Sequence, residues 1–384
     1  MIESKLLAKR TALAMMISSV LALTPTYAST PDAPSLCDIG TSCSGVDEPG
    51  EVSSAIKWNP GHYVISDNGA GLLKRLAYLD EIAEEPSIRG LQVRYYWNEL
   101  EPRKGEYDFL ALDALLDRAE SVNKQIILEV WTRSFGGRLK PSPAYIQTEE
   151  YGGGDYSVYN DGTRFATRVW NPAVMDRLIA LYQALGERYD SHPNFEAIAT
   201  AETALGGTVT NLPGFSSTAA TDQYLRLMQA SRAAWPRTIV RLSTNYWPSQ
   251  SLFVRLHNES LRYQYALGGP DIILATPAAS TNASQALIVG ATGEVDFRGK
   301  VPIMFNVESD LKKYEPTGIY DKAAYDLKAT HISWQRNTWN GGPTQQWQTG
   351  VLPFIRSVGG SFPNVNCPES FVKGCTPSES ETQE

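Results

Sequence analysis

The chain has 384 residues, 42% hydrophobic and 20% charged, proportions that exclude a largely disordered or fibrous-repeat protein. Its 34 Lys and Arg against 42 Asp and Glu give a net charge of −8, which argues against a nucleic-acid partner held through its phosphates. Four His and four Cys leave little material for a multi-metal centre, whereas 9 Trp, 19 Tyr and 11 Phe supply rings of the kind that stack on sugars.

At the N-terminus, Lys5, Lys9 and Arg10 precede an apolar run from Thr11 to Leu23. Small residues follow at Thr26 and Ala28, and the pattern reads as a secretory signal peptide over residues 1–28, with a retained membrane anchor as its rival. No later run approaches the roughly 18 apolar residues of a membrane helix. The expected product is secreted or periplasmic, soluble, monomeric and free of the membrane once the signal is cleaved. Residues 29–56 then form an N-terminal tail, 57–360 the folded body and 361–384 a C-terminal tail. The cysteines sit only in the tails, at Cys37, Cys43, Cys367 and Cys375. Two short local disulfides are the favoured pairing, with end-to-end bridges as the alternative. Their spacing does not suit zinc, and no metal or other cofactor is expected.

Eight short strand-like runs alternate with helical patterns through the body. They are Gly61–Ser66, Leu91–Trp97, Gln125–Thr132, Phe195–Ala201, Thr238–Thr244, Asp271–Thr276, Pro302–Val307 and His331–Trp334. Each is β-branched, aromatic or otherwise apolar, as a parallel strand covered on both faces should be. Helices are expected over Leu110–Ser121, Asn171–Tyr189, Asp222–Ala233 and Asp321–Lys328, with Asn171-Pro172 as an N-cap followed by Pro at the first helical position. The crossovers before the sixth and seventh strands carry the weakest pattern. Eight such repeats predict an α/β fold, a single-domain (β/α)8 TIM barrel with disulfide-stapled tails. Neither a dinucleotide fingerprint nor a phosphate-binding Gly-rich loop is present. The Gly- and Tyr-rich stretch from Phe135 to Asn160 falls after the third strand, on the face where barrels build active sites; slack sequence is the competing reading.

Carboxylates fall at the ends of two of these strands. The fourth ends Ala199-Thr200-Ala201-Glu202, and the seventh Asn306-Val307-Glu308. Strands four and seven lie across a barrel mouth, so Glu202 and Glu308 can face one another across a bound sugar. A gap of about 5–5.5 Å would give retention of configuration and about 6.5–9.5 Å inversion. Either residue alone reads as readily as a strand-end salt bridge; together they point to glycosidic chemistry.

Three passages resemble the clan A glycoside hydrolases, retaining (β/α)8 enzymes. Trp97-Asn98-Glu99-Leu100-Glu101-Pro102 with Gly105-Glu106-Tyr107-Asp108-Phe109 is similar to an element after the clan's second strand, where it is mainly structural. Arg188-Tyr189-Asp190-Ser191-His192-Pro193-Asn194 is similar to the lead into the fourth strand, and Ser333-Trp334 matches the eighth. The resemblance implies Glu202 as acid/base, Glu308 as nucleophile, Arg94 as the cation holding the nucleophile ionised and Trp334 as a floor under the sugar. Where the clan has Asn before its acid, this chain has Ala201.

Further binding candidates are Glu129, which could instead replace either catalytic acid or pair with Arg94 or Arg133, together with Trp131, Asn245, Tyr246 and Trp247. His62 and His331 read as structural. The expectation is a secreted glycosidase hydrolysing O-glycosyl bonds of a β-linked poly- or oligosaccharide by a retaining mechanism. The alternatives are a non-catalytic glycan-binding barrel and a polysaccharide lyase.

Overall fold

Apolar segments that must be covered on both faces form eight parallel strands. The computed structural model describes residues 54–67, 69–274, 283–290, 295–308, 311, 313–336, 346–359 and 362–377. The expected signal peptide, Cys37 and Cys43 lie outside them. The strands are β1 (Gly61–Ile65), β2 (Gly90–Tyr96), β3 (Gln125–Trp131), β4 (Phe195–Thr200), β5 (Ile239–Ser243), β6 (Ala266–Gly268), β7 (Met304–Val307) and β8 (His331–Gln335). Their order is β7-β8-β1-β2-β3-β4-β5-β6, every pairing parallel. Single bridges from Leu267 to Ile303 and from Pro270 to Asn306 join β6 to β7 and close the ring. The fold is the expected (β/α)8 barrel.

The crossovers are α1 (Leu72–Ile82), α2 (Leu110–Ser121), α3 (Pro172–Tyr189), α4 (Ser217–Ala234), α5 (Gln250–Arg262), α6 (Ala283–Ile288), α7 (Pro316–Asp321) and α8 (Leu352–Val358). Asn171 caps α3 as expected: its side chain accepts from Ala173 N at 2.9 Å, and Pro172 fills the first helical position. Ser216 caps α4 and starts it five residues before the expected Asp222. The helix expected over Asp321–Lys328 begins earlier, at Pro316, and passes into a π-helical turn over Lys322–Asp326. No described helix is long and apolar enough to cross a membrane.

The sixth strand corrects the sequence reading. It lies at Ala266–Gly268, before the expected Asp271–Thr276, because three residues suffice to pair with Arg241–Ser243. A side chain at Gly268 would meet the Met304 backbone oxygen at 1.8 Å, so the close approach of β7 demands glycine there. The apolar look of the later segment comes from Ile272, which is fully buried outside any strand.

Alternation along the strands divides the core in two. Outward residues, among them Val64, Val93, Leu128, Ile198, Leu242, Val307 and Trp334, pack under the helices. Inward residues Tyr63, Ile127, Ala197, Ile239, Ala266 and Met304 fill the base, which Trp58 and Phe371 plug from the chain's two ends. Ile56–Lys57 pairs with Cys375–Thr376, and Cys367 is bonded to Cys375, the local loop favoured from the sequence. The C-terminal segment is thus part of the barrel's floor.

One buried carboxylate ties this floor together. Glu196 accepts from Asn59 N at 2.8 Å, Asn59 Nδ2 at 2.6 Å and His331 Nε2 at 3.1 Å. Replacing Glu196 by Ala would remove the acceptor shared by all three donors in a fully buried site. It is expected to cost about 3–5 kcal/mol in denaturant unfolding, with Glu196→Gln milder because it keeps one acceptor oxygen.

Candidate active site

Above the apolar floor the inward positions turn polar. Gln92 and Arg94 of β2, Glu129 of β3, Arg241 of β5 and Asn306 of β7 are buried and bonded to one another. A cavity of about 320 Å³ opens over them, lined by Arg94, Glu129, Trp131, Arg133, Phe135, Ala201, Glu202, Pro270, Asp271, Asn306, Glu308 and Gln335. The carboxylates that end strands four and seven therefore share one cavity.

Their surroundings differ. Arg94, 3% exposed, donates through Nη1 to Glu308 Oε2 at 3.3 Å and through Nη2 to Oε1; Asn306 Nδ2 adds a bond to Oε1 at 3.4 Å. The other edge of Arg94 donates through Nε to Glu129 Oε2 at 3.0 Å, an atom that also accepts from Gln92 at 2.8 Å. Burial works against the charge on Arg94, but Glu308 and Glu129 outweigh it and hold the guanidinium more firmly protonated than usual. Arg241 supports the same array, donating to Asn306 Oδ1 at 3.0 Å with Glu129 at 3.9 Å.

Glu202 is 12% exposed. Burial pushes its carboxyl above the usual range, and Glu308 and Glu129 add to the rise. Arg133 Nη1 at 2.6 Å from Oε1 and Asn245 Nδ2 at 2.7 Å from Oε2 work against it, but burial prevails. The segment after β4 is braced to the end of β5, with Thr203 N donating to Ser243 O at 3.0 Å and Asn245 N to Thr203 Oγ1 at 3.0 Å.

Of the other candidates, Glu129 reaches the cavity with its charge engaged by Arg94. Trp131 presents a ring there, 4.7 Å from the Arg94 guanidinium and 5.2 Å from Phe135. Asn245 serves Glu202 itself. It lines a neighbouring recess of about 70 Å³ with the half-exposed Tyr246. Trp247 packs on Tyr224 and donates to Thr221 Oγ1 at 3.0 Å, away from the cavity.

Trp334 must be corrected. It does not reach the cavity: its position on β8 faces outward, it is fully buried, and Nε1 donates to His62 Nδ1 at 2.9 Å. Period-two alternation gives the cavity Gln335, the next residue, instead. His62 is structural as expected, with burial lowering its pKa to about 3.

Sequence reasoning did not single out Arg241, Asn306, Asp271, Phe135 or Gln335. Arg241 carried a signal, a charge in the middle of an apolar strand. Asp271 carried none: it sits in the left-handed region at φ 65° between cavity and recess, a placement visible only in three dimensions.

The long stretch after β3 carries regular structure rather than slack, with Phe135 at its start lining the cavity. Asp155–Ser157 and Phe165–Thr167 form a hairpin, and Arg133 bridges to Ala166 at its base. Asp155 ties the hairpin to the preceding segment, accepting from Ser142 Oγ at 2.7 Å and Thr167 Oγ1 at 2.8 Å. In the clan-like element, buried Glu101 accepts from Trp97 Nε1 and Gly105 N, each at 2.8 Å, and pairs with Arg177, a structural role as expected.

Barrel and site define the class: a (β/α)8 fold with two carboxylates from strands four and seven in one cavity. The comparisons agree. Residues 83–204 match the glycosyl hydrolase 42 family, described as beta-galactosidase, a segment that contains Glu202. Among solved structures, the catalytic domain of β-amylase from Paenibacillus polymyxa aligns at TM-score 0.53 and 10% identity, over 79% of this chain and 98% of that one. The β-galactosidase from Rahnella sp. R3 aligns at 0.52 and 12% identity over 82% of this chain, which spans 58% of that longer protein. Endoglycoceramidase II from Rhodococcus sp. aligns at 0.52 and 15% identity, over 79% and 80%. No curated protein sequence matches significantly. The resemblance to the clan A glycoside hydrolases holds, without assignment to one of their families.

Replacing Trp334 by Phe leaves His62 Nδ1 without its donor and should lower stability by roughly 1–3 kcal/mol in denaturant titration. On a cleaved glycoside KM should stay unchanged, whereas Trp131→Ala should raise it.

Proposed function

We propose that the chain is an exported glycosidase that hydrolyses a β-linked poly- or oligosaccharide with retention of configuration, Glu202 acting as acid/base and Glu308 as nucleophile. The observation that carries this reading is the placement of two carboxylates from strands four and seven in one cavity, each held by its own set of partners. Burial raises the Glu202 carboxyl against the pull of Arg133, as an acid requires, while Arg94 and Asn306 hold the Glu308 carboxylate in place on the cavity's other side, as a nucleophile requires.

In the first half-reaction Glu308 attacks the anomeric carbon while the Glu202 proton passes to the departing oxygen. In the second, Glu202 takes a proton from water as the water displaces Glu308. Arg94 stays fixed through both halves because Glu129 and Gln92 hold its surroundings from below. The β-galactosidase match and the endoglycoceramidase II neighbour, one of whose structures is a lactosyl-enzyme intermediate, support β-glycosidic chemistry. A lyase would need a Tyr or His base, and among the described residues those lining the cavity include neither, Tyr246 lying in the neighbouring recess.

The test uses aryl β-glycosides with Glu202→Ala and Glu308→Ala, each with added azide. Removing the acid should lower kcat/KM by about 10²–10⁴ on poor leaving groups and far less on good ones. Azide should then yield a β-glycosyl azide from Glu202→Ala and an α-glycosyl azide from Glu308→Ala, because the small anion enters where the carboxylate was. Wild-type rates in both variants would remove these residues from the mechanism, and an α-configured first product from the wild type would rule out retention.

A further inference from the structure

The pair between Glu202 and Arg133 is a feature that the retaining reading does not explain. An acid that must carry a proton at the start of turnover sits 2.6 Å from a guanidinium, and that contact favours the ionised form. Asn245 occupies the other oxygen at 2.7 Å. Arg133 is 6% exposed at its side chain and lines the cavity. Its Nη1 also donates to Ala204 O, so one nitrogen bridges the Glu202 carboxylate and the backbone two residues on. The guanidinium carbon lies 4.8 Å from the centre of the Phe135 ring, which is 48% exposed at the mouth, and Nε has no partner among the described residues.

The holders come from strand ends on either side of β4. Arg133 follows β3 and Asn245 follows β5, while Ala201, the residue directly before the acid, has no polar side chain to offer. Glu202 is thus oriented by its neighbours' loops rather than by its own strand. Of the two contacts, the amide is neutral and compatible with either protonation state. The ion pair is not: it favours the carboxylate and opposes the acid.

We propose that Arg133 is a positioning residue for Glu202, pinning the carboxylate between turnovers and releasing it when a leaving group enters between Glu202 and Phe135. With the pair loosened, burial and the nearby carboxylates Glu308 and Glu129 act on Glu202 against Asn245 alone, and it takes up the proton that it delivers to the glycosidic oxygen. Once the aglycone has departed, Arg133 returns and keeps Glu202 ionised and aimed at the incoming water. Phe135 gives the guanidinium an apolar face to rest on in either position. Arg133 acts through Glu202 and need not touch the sugar.

This inference rests on the acid/base assignment of Glu202, and the experiment separates the two. pH profiles of kcat/KM and kcat are measured for wild type, Arg133→Gln, Arg133→Lys and Glu202→Gln on an aryl β-glycoside that the wild type cleaves, with thermal unfolding of each variant to confirm folding. Without the cation, the alkaline limb of kcat/KM, which marks loss of the acid's proton, should move up by roughly 1–3 pH units in Arg133→Gln. The second half-reaction should slow, seen as a fall in kcat with good leaving groups and a pre-steady-state burst. Arg133→Lys, which restores charge, should return the limb towards its wild-type position. A folded Arg133→Gln whose limb does not move, or whose activity falls equally at every pH with no rescue by Lys, overturns the proposal while leaving the glycosidase reading intact. Full activity in Glu202→Gln, or no cleavage of any β-glycoside by wild type, overturns that reading and this inference with it.

Discussion

The buried guanidinium of Arg94 is the constraint around which the upper barrel is arranged. A cation taken out of water on the inner face of a strand is costly unless carboxylates and amides meet it at good geometry. Here Glu129 meets it from the adjacent strand in register, the two residues being direct partners in the ladder, and Glu308 meets it from β7. Ion pairing thus links β2, β3 and β7, and Arg241 extends the array to β5 through Asn306. Removing Arg94 would leave two carboxylates facing each other in the same cavity, so the site's geometry and its charge balance rest on one side chain.

This array divides the barrel along its axis. Below it, inward residues are apolar and the floor is sealed by Trp58 and Phe371, with Glu196 as the buried polar anchor. Above it, the lining is polar and open. The two ends therefore serve different purposes, and substitutions at the floor should act on folding while those at the mouth act on chemistry. The C-terminal segment belongs with the floor. Its strand pairing with Ile56–Lys57 and its packing through Phe371 close the base, which ties it to the body despite its tail-like sequence.

Much of this was legible in the sequence because the strands are buried on both faces. Seven of the eight stood out as apolar runs between helical patterns, and the two carboxylates lay at strand ends where the fold brings them together. The sixth strand escaped because a three-residue strand leaves little pattern, while buried Ile272 beyond it imitates one. Trp334 escaped for a different reason. A short run of buried residues does not reveal which alternate positions face inward, and a shift of one position exchanges an indole for the Gln335 amide. The groups that surround Glu202 were hardest to read, since Arg133 and Asn245 come from loops after different strands and meet it only through the closure of the ring.

That arrangement bears on why fold similarity alone does not name the substrate. At 10–15% identity, a β-amylase, a β-galactosidase and an endoglycoceramidase share this barrel, and the differences between such proteins lie in the loops beyond the strand ends. In this chain those loops contribute Arg133 and Phe135 on one side, and Tyr246 and Asp271 on the other. The strand-borne groups Arg94, Glu129 and Asn306 are held by several partners each and can tolerate little change. The loop-borne groups are more exposed, Phe135 and Tyr246 at 48% and 42%. Tight bracing around Glu308 and looser surroundings around Glu202 follow from where the chain places its strands.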